Sequence, residues 1–560
     1  MRPAARPSRA LVLAAVVGLA VLALARPLLS RQAHPFVDEG IYGYMAAGPQ
    51  ATGEPLYVAS FDNKPVGLLW LLQAVHAFSP DRLWQARVAE GLLSLGGSLL
   101  LLLWLGAEVS PAAGWVAAFA YLLLLNLTPG PVALTEPPMA CFSLAGMAAA
   151  YYAFRWGRPA GWLLAGVCMA LATNFKQVAV LDLLALLVTA TWWLRGSARR
   201  WGALGLTLAG FGLVWGLVWL WLAHGGQAPQ AWEDTVVSLL RGDQSASARQ
   251  HLLLLRALGL VVWLLPFTVG LLVLAVRGAL APGEGAAPLA PRALRVQLCL
   301  WLLAPALGVA AEGYFFHHQM VPFFVPFAAL AGLGFATLAG TGPGRRGARV
   351  AWVLLLLSVV PLALRYGWET NRALTAHRDP QDLVEEGIAR DVAHLLSPSE
   401  TMYVVGSTAD VYLLCQRRAP TPYFESCCAS PELRNDVVGE LQHKLPGAVL
   451  LAPWVFPFQE DFQRLVETQL LPGRYVLVKT WLLPGQYFEP GGWTGLGRHV
   501  TQRTWVQDGY QLYLRTDLAQ RAFPRGVPLV VATGAQAPSH LPEPSGLAHF
   551  WRRLIGSGGR

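Results

Sequence analysis

Eleven apolar runs joined mostly by short connections decide what this chain can fold into. The first covers about residues 10–29. The others read as Trp84–Leu105, Ala112–Asn126, Pro137–Phe154, Gly161–Thr173, Val178–Leu194, Leu204–Leu222, Leu252–Val276, Val296–Ala311, Met320–Leu338 and Val350–Leu364. An α-helix needs roughly 20 predominantly apolar residues to cross a bilayer, and these runs approach or reach that length. Only 13% of the 560 residues are charged, against about 25% in soluble domains. The sequence therefore predicts a polytopic α-helical membrane protein of about eleven spans.

The arginines orient it. Arg155 and Arg158, then Arg195, Arg199 and Arg200, then Arg277, Arg292 and Arg295, then Arg345, Arg346 and Arg349 fall in alternate connections. Cytoplasmic loops carry such an excess of positive charge. Arg2, Arg6 and Arg9 precede the first run and place the N-terminus inside. Ala23-Leu24-Ala25 resembles a signal-peptide cleavage site, but the run is long enough to be a retained first helix. On either reading the loop that follows is outside. The net charge of +9 is thus accounted for by loop arginines, which argues against nucleic acid as a partner. An odd number of spans places everything after about Tyr366 outside the cytoplasm.

That last segment changes character. Short strand-like runs at 402–405, 448–451, 475–478 and 510–514 alternate with helical patterns at Gln381–Leu396 and Pro431–Lys444, the layout of a small α/β domain. The domain organisation reads as a transmembrane catalytic domain over 1–366 with an outer loop at 31–83, an extracytoplasmic α/β domain over 367–523, and a loosely ordered tail over 524–560. Cys141, Cys168 and Cys299 lie in apolar runs and read as packing residues. Outside the cytoplasm, Cys415 has Cys427 and Cys428 as alternative disulfide partners.

The chemistry is concentrated in a polar island, Phe36–Leu69, directly after the first run. It holds Asp38, Glu39, Tyr42, Tyr44, Asp62, Asn63, Lys64 and Pro65, followed by an apolar stretch, Val66–Phe78, too short to span and read as an interfacial helix. Glu136, then Asn174, Lys176 and Gln177, then Glu312, His317, His318 and Gln319 fall on the same outer side. Ionisable groups at a membrane edge are costly unless solvated, paired or used. Each has a plain alternative: a lysine at a helix end often snorkels to water, Lys64 can pair with Asp62, Arg87 and Glu90 can pair with each other, and Glu39 can simply orient the loop. Adjacent histidines on a helix diverge by about 100°, so His317 and His318 do not read as a metal pair, and no metal ligand set is assigned. The convergence of carboxylates, lysines and histidines on one face points to an outward-facing site for proton abstraction and anion binding.

Three segments carry a resemblance: Phe36-Val37-Asp38-Glu39-Gly40-Ile41-Tyr42, Gly53-Glu54-Pro55-Leu56-Tyr57 and Phe61-Asp62-Asn63-Lys64-Pro65. They are similar to the first outer loop of the bacterial dolichyl-phosphate-mannose-protein mannosyltransferase-like family. Those proteins are glycosyltransferases of the C-type fold and include the lipid A aminoarabinose transferase among their relatives. Thr135-Glu136-Pro137, Thr173–Gln177 and His317–Pro322 resemble later, weaker motifs of the group. His318-Gln319 departs from a His-Tyr pattern, and Pro65-Val66 from a double proline.

The resemblance implies inverting transfer of a sugar from a polyprenyl-phosphate donor to an extracytoplasmic acceptor, whether glycolipid, protein or polysaccharide, at the inner (plasma) membrane. No further cofactor is implied. Asp38 would be the general base and Glu39 its catalytic neighbour. Lys64, with Lys176, His317 and His318, would hold the donor phosphate as negative charge builds on it. Tyr42, Asn63, Glu136 and Gln177 would position substrate. A flippase of lipid-linked sugar is the main alternative, but it would be expected to show repeats and midplane polar groups; no repeat is evident in the sequence. A non-catalytic scaffold would not require the Asp38 and Lys64 constellation.

Overall fold

The computed structural model describes residues 9–30, 34–76, 83–128, 132–238, 253–280, 292–313, 315–340, 346–374, 380–406, 408–424, 431–455, 460–482, 504–505, 509–527 and 530–533. The helices run as α1 (Arg9–Leu29), α2 (Val37–Thr52), α3 (Leu56–Ala59), α4 (Val66–His76), α5 (Trp84–Glu108), α6 (Pro111–Leu124), α7 (Glu136–Trp156), α8 (Pro159–Phe175), α9 (Val180–Trp193), α10 (Arg199–His224) and α11 (Ala228–Trp232). Four long helices follow, at Leu253–Leu280, Arg292–Glu312, Val321–Gly340 and Arg346–Leu374. Each apolar run of the sequence lies on one of these helices. Among the described residues, seven helices are long and apolar enough to cross a membrane. The chain is an integral, polytopic membrane protein.

Local chemistry sets the helix ends. Ser110 caps α6 by accepting from the Ala113 N–H, with Pro111 in the first turn where its missing N–H costs nothing. Small residues bring the helices together. A Cβ on Gly166 of α8 would lie 1.9 Å from the Thr207 carbonyl oxygen of α10, so only glycine permits this backbone approach. The largest core is continuous across the bundle and includes Trp104, Tyr121, Tyr151, Trp301 and Phe324.

Beyond the bundle, five strands form one mixed sheet in the order β1 (Met402–Val405), β2 (Ala448–Leu451), β6 (Gly509–Arg515), β4 (Tyr475–Leu482), β7 (Val530–Thr533). A short pair, β3 (Trp454–Val455) and β5 (Thr504–Trp505), lies apart from it. β1 and β2 pair in parallel and are buried along their whole length, as strands covered on both faces must be.

Two domain limits differ from the expectation. The helix Arg346–Leu374 continues past residue 366, so no break falls there. β7 pairs in parallel with β4, so the sheet extends into the segment assigned to a tail. Cys427 and Cys428 lie outside the described residues, and with them the expected disulfide; Cys415 is buried against the Met402 sulfur.

The polar island joins the two parts. α2 and α4 share one core with a face of the sheet, where Tyr42, Met45, Leu69 and Leu72 cluster with Val404, Tyr412 and Leu450. The Ala419 N–H donates to the Tyr44 hydroxyl at 2.9 Å, and the Phe61 N–H donates to the Pro422 carbonyl at 2.9 Å. The sheet domain therefore sits directly on the island.

Candidate active site

Several helix ends converge on one polar cluster. α2 begins at Val37 and places Asp38 and Glu39 in its first turn, where the helix dipole favours carboxylates. Asp38 is 31% exposed, and its Oδ2 lies 3.9 Å from Nε2 of His318. The same His318 nitrogen lies 3.9 Å from Glu136 Oε1, at the first residue of α7. Lys176 donates to Glu136 Oε1 at 2.8 Å and lies 3.0 Å from Glu312 Oε1. Gln319 donates to Glu312. Asp38, His318, Glu136, Lys176 and Glu312 thus form one continuous chain of contacts drawn from five segments.

Backbone breaks aim these groups. Lys176 adopts an extended conformation after α8, which turns Lys176 and Gln177 out of the helix together. The His318 ring stacks on Phe316 and meets the edge of Phe36, which holds its Nε2 towards the carboxylates. Just before it, Phe315 has φ 55°, a left-handed conformation that a bulky side chain rarely tolerates outside a constrained turn.

The Asp62-Asn63-Lys64 loop joins the cluster through Gln177, whose amide donates to the Asn63 carbonyl and to Thr235 O. Tyr57 donates to the Lys64 carbonyl at 2.8 Å, fixing the loop before α4. Lys64 is 24% exposed; its ammonium reaches the Asn63 side chain and stands 4.0 Å from Asp62 Oδ1. The alternative of a Lys64–Asp62 pair is therefore met only at the limit of contact. Burial raises the pKa of Asp62, opposed by the Lys64 charge and by the Asn63 and Lys64 N–H groups. Asp234, after α11, is pushed up to about 8, first by burial and further by the charge of Asp62, although Gln230 donates to it at 2.6 Å.

Several assignments change. Glu39 is 0% exposed and its carboxylate is fully engaged. It accepts from Arg87 Nε at 2.8 Å, Arg87 Nη2 at 2.6 Å, the Phe36 N–H at 3.0 Å and the Ala133 N–H at 2.6 Å. It holds the loop, with its carboxylate closed off from solvent. Arg87 forks onto Glu39, and Glu90 instead accepts the Leu134 N–H. Tyr42 is buried in the core that the island shares with the sheet. Lys176 is buried between two carboxylates, leaving no surplus positive charge to hold a phosphate. His317 turns away from Asp38 and stacks on Trp263 with ring centroids 3.9 Å apart, as the angular divergence of neighbouring residues requires. Of the predicted groups, Asp38, His318, Glu136 and Lys176 lie in one chain of contacts, and Lys64, Asn63 and Gln177 in a second that adjoins it at Lys176-Gln177.

Sequence reasoning missed Arg256, whose guanidinium donates to the Gly313 carbonyl beside the histidine turn, and the buried trio His34, Glu385 and Asp410. Arg256 opens an apolar run, where a lone arginine reads as a loop charge. The trio is spread across the chain with no local pattern.

No protein-family model and no curated protein sequence matches the chain. Solved structures do. ArnT from Cupriavidus metallidurans in the apo state superposes with TM-score 0.58 at 15% identity, over 90% of this chain and 98% of that one. ArnT bound to undecaprenyl phosphate gives TM-score 0.57 at 14% identity over the same shares. The apo oligosaccharyltransferase of Archaeoglobus fulgidus gives TM-score 0.51 at 12% identity, over 80% of this chain and 70% of that one. The class is thereby set: a polytopic membrane protein with the fold shared by ArnT and this oligosaccharyltransferase.

Proposed function

We propose that this chain is an inverting membrane glycosyltransferase that moves a sugar from a polyprenyl-phosphate donor to an acceptor outside the cytoplasm. The observation that carries this reading is that a carboxylate, Asp38, 31% exposed, and an ammonium, Lys64, 24% exposed, both stay partly open to solvent in the polar island. The likeness in fold to ArnT with bound undecaprenyl phosphate supports it. In this reading eleven helices span the inner membrane and the sheet domain lies outside, over the site.

The acceptor hydroxyl attacks the anomeric carbon as Asp38 removes its proton. The bond from that carbon to the phosphate oxygen breaks on the opposite side, and the phosphate leaves with the electron pair. Negative charge grows on the leaving oxygen, and Lys64 stabilises it. His318, 3.9 Å from Asp38 and held by Phe36 and Phe316, orients that carboxylate. Glu136, Lys176 and Glu312 form the rigid ionic floor below.

Polyprenyl-phosphate binding to purified wild type and Lys64→Ala tests this. Loss of a hydrogen bond to a charged group predicts binding weaker by about 1.5–3 kcal/mol, with an unchanged melting temperature. Equal affinity would leave Lys64 with a structural role only.

A further inference from the structure

His34, Glu385 and Asp410 meet where the start of the polar island touches the sheet domain. His34 precedes α2, Glu385 lies on the helix Pro380–Leu395, and Asp410 opens the helix Asp410–Cys415. His34 Nε2 is 2.8 Å from Asp410 Oδ2 and 3.0 Å from Glu385 Oε2. All three side chains are almost completely buried. The parts approach closely here: a Cβ on Gly40 of α2 would lie 2.5 Å from the Asp410 nitrogen.

Hydrogen bonding does not complete this cluster. One imidazole N–H points well at one oxygen, yet two carboxylate oxygens face the same nitrogen. His34 Nδ1 and Asp410 Oδ1 are buried without a hydrogen-bond partner. With both carboxyl groups ionised, even a protonated His34 leaves a net negative charge in this desolvated junction, which a shared proton or a bound cation would offset. The Arg87 guanidinium, which donates to the His34 carbonyl, is itself paired with Glu39. Tyr510 donates to Glu385 Oε1 and so presents Oε2 to His34.

We propose that His34, Glu385 and Asp410 bind one zinc-class divalent cation that clamps the sheet domain onto the start of α2. The three donor atoms lie within 4.8 Å of one another. Tetrahedral zinc with ligands at about 2.0–2.2 Å needs donors about 3.3–3.6 Å apart, so each carboxylate oxygen would move back from His34 by about half an ångström. A neutral imidazole and two carboxylates cancel the charge of the cation. Imidazole with carboxylate suits zinc better than the all-oxygen sets of magnesium or calcium. Tyr510 supplies the outer hydrogen bond that orients a ligating carboxylate. The clamp sits four residues ahead of Asp38, so it would set where the candidate base stands while taking no part in proton transfer. The proposal does not depend on the reaction assigned above.

The test uses the full chain purified in detergent, stripped with a chelator, incubated with zinc sulfate, desalted and analysed for bound metal by mass spectrometry. Wild type is expected to retain about one zinc per chain and to melt at higher temperature with zinc than without. His34→Gln, Glu385→Gln and Asp410→Asn should bind zinc at least about tenfold more weakly, whereas Asp38→Asn should retain it. Glu385→Gln can still accept from Tyr510 and serves if the other two do not fold. Wild type without zinc, trio variants retaining it like wild type, or loss of the metal in Asp38→Asn instead would each overturn the proposal.

Discussion

Glu39→Gln should unfold the protein more readily while leaving its chemistry intact in whatever fraction folds; Asp38→Asn, one residue away, should do the reverse. Glu39 accepts four hydrogen bonds, two on each carboxylate oxygen. An amide has one oxygen. If its NH2 replaces Oε1, Arg87 Nε and the Ala133 N–H lose their acceptor; if it replaces Oε2, Arg87 Nη2 and the Phe36 N–H lose theirs. Either way one backbone N–H and one guanidinium N–H are left unsatisfied, and the buried Arg87 charge loses its counterion. Breaking a buried ion pair from one side costs about 3–5 kcal/mol. Asp38, 31% exposed and in a first helical turn, should lose little stability on conversion to Asn. It should lose about 10²–10⁴ in transfer rate, the scale of a general base. Thermal unfolding in detergent, followed by tryptophan fluorescence, reads the first effect; sugar transfer by the folded fraction reads the second. A Glu39→Gln protein that melts like wild type yet fails to transfer would mean that Glu39 is not structural and would return it to substrate contact.

Lys176→Met should cost about 3–5 kcal/mol of stability, because Glu136 and Glu312 are left facing each other without their shared cation; unchanged melting would contradict the ionic floor. Asp234 should make the protein less stable as pH rises. Its folded-state pKa of about 8 is above the ordinary 3.8, so the stability it contributes is full below 3.8 and is lost as pH rises through about 8. Asp234→Asn should flatten that slope in melting curves from pH 5 to about 9, and a slope equal to wild type would remove Asp234 as its source. For topology, Asn435→Cys, on an exposed face of the helix Pro431–Lys444, should react with a membrane-impermeant maleimide added outside intact spheroplasts; reaction only after lysis would reverse the orientation.

The bundle was legible in sequence because each apolar run carries its own signal: length and hydrophobicity suffice to name a helix, and the strands at 402–405 and 448–451 announce themselves as short apolar runs. The site was legible in part. Asp38 and Lys64 stand in a dense polar loop, which marks them without knowledge of their partners. What pairs with what was not legible. Glu39 and Arg87 are 48 positions apart and Lys176 and Glu312 136 apart, and nothing local to either residue states that its charge is already taken. Glu90, three residues from Arg87, looked the better partner by helical spacing, but the Phe36–Glu39 turn reaches the arginine from another segment. His34 and Asp410, 376 positions apart, escaped for the same reason.

The central claim is that this chain transfers a sugar, with Asp38 as the base. Mass spectrometry of envelope glycolipids and glycoproteins from cells with the chain, without it, and with only Asp38→Asn tests that claim most directly. One defined sugar mass increment should disappear when the chain is absent and should not be restored by an Asp38→Asn protein that is present and folded. An unchanged set of glycans in cells lacking the chain, or full restoration by Asp38→Asn, would contradict the claim.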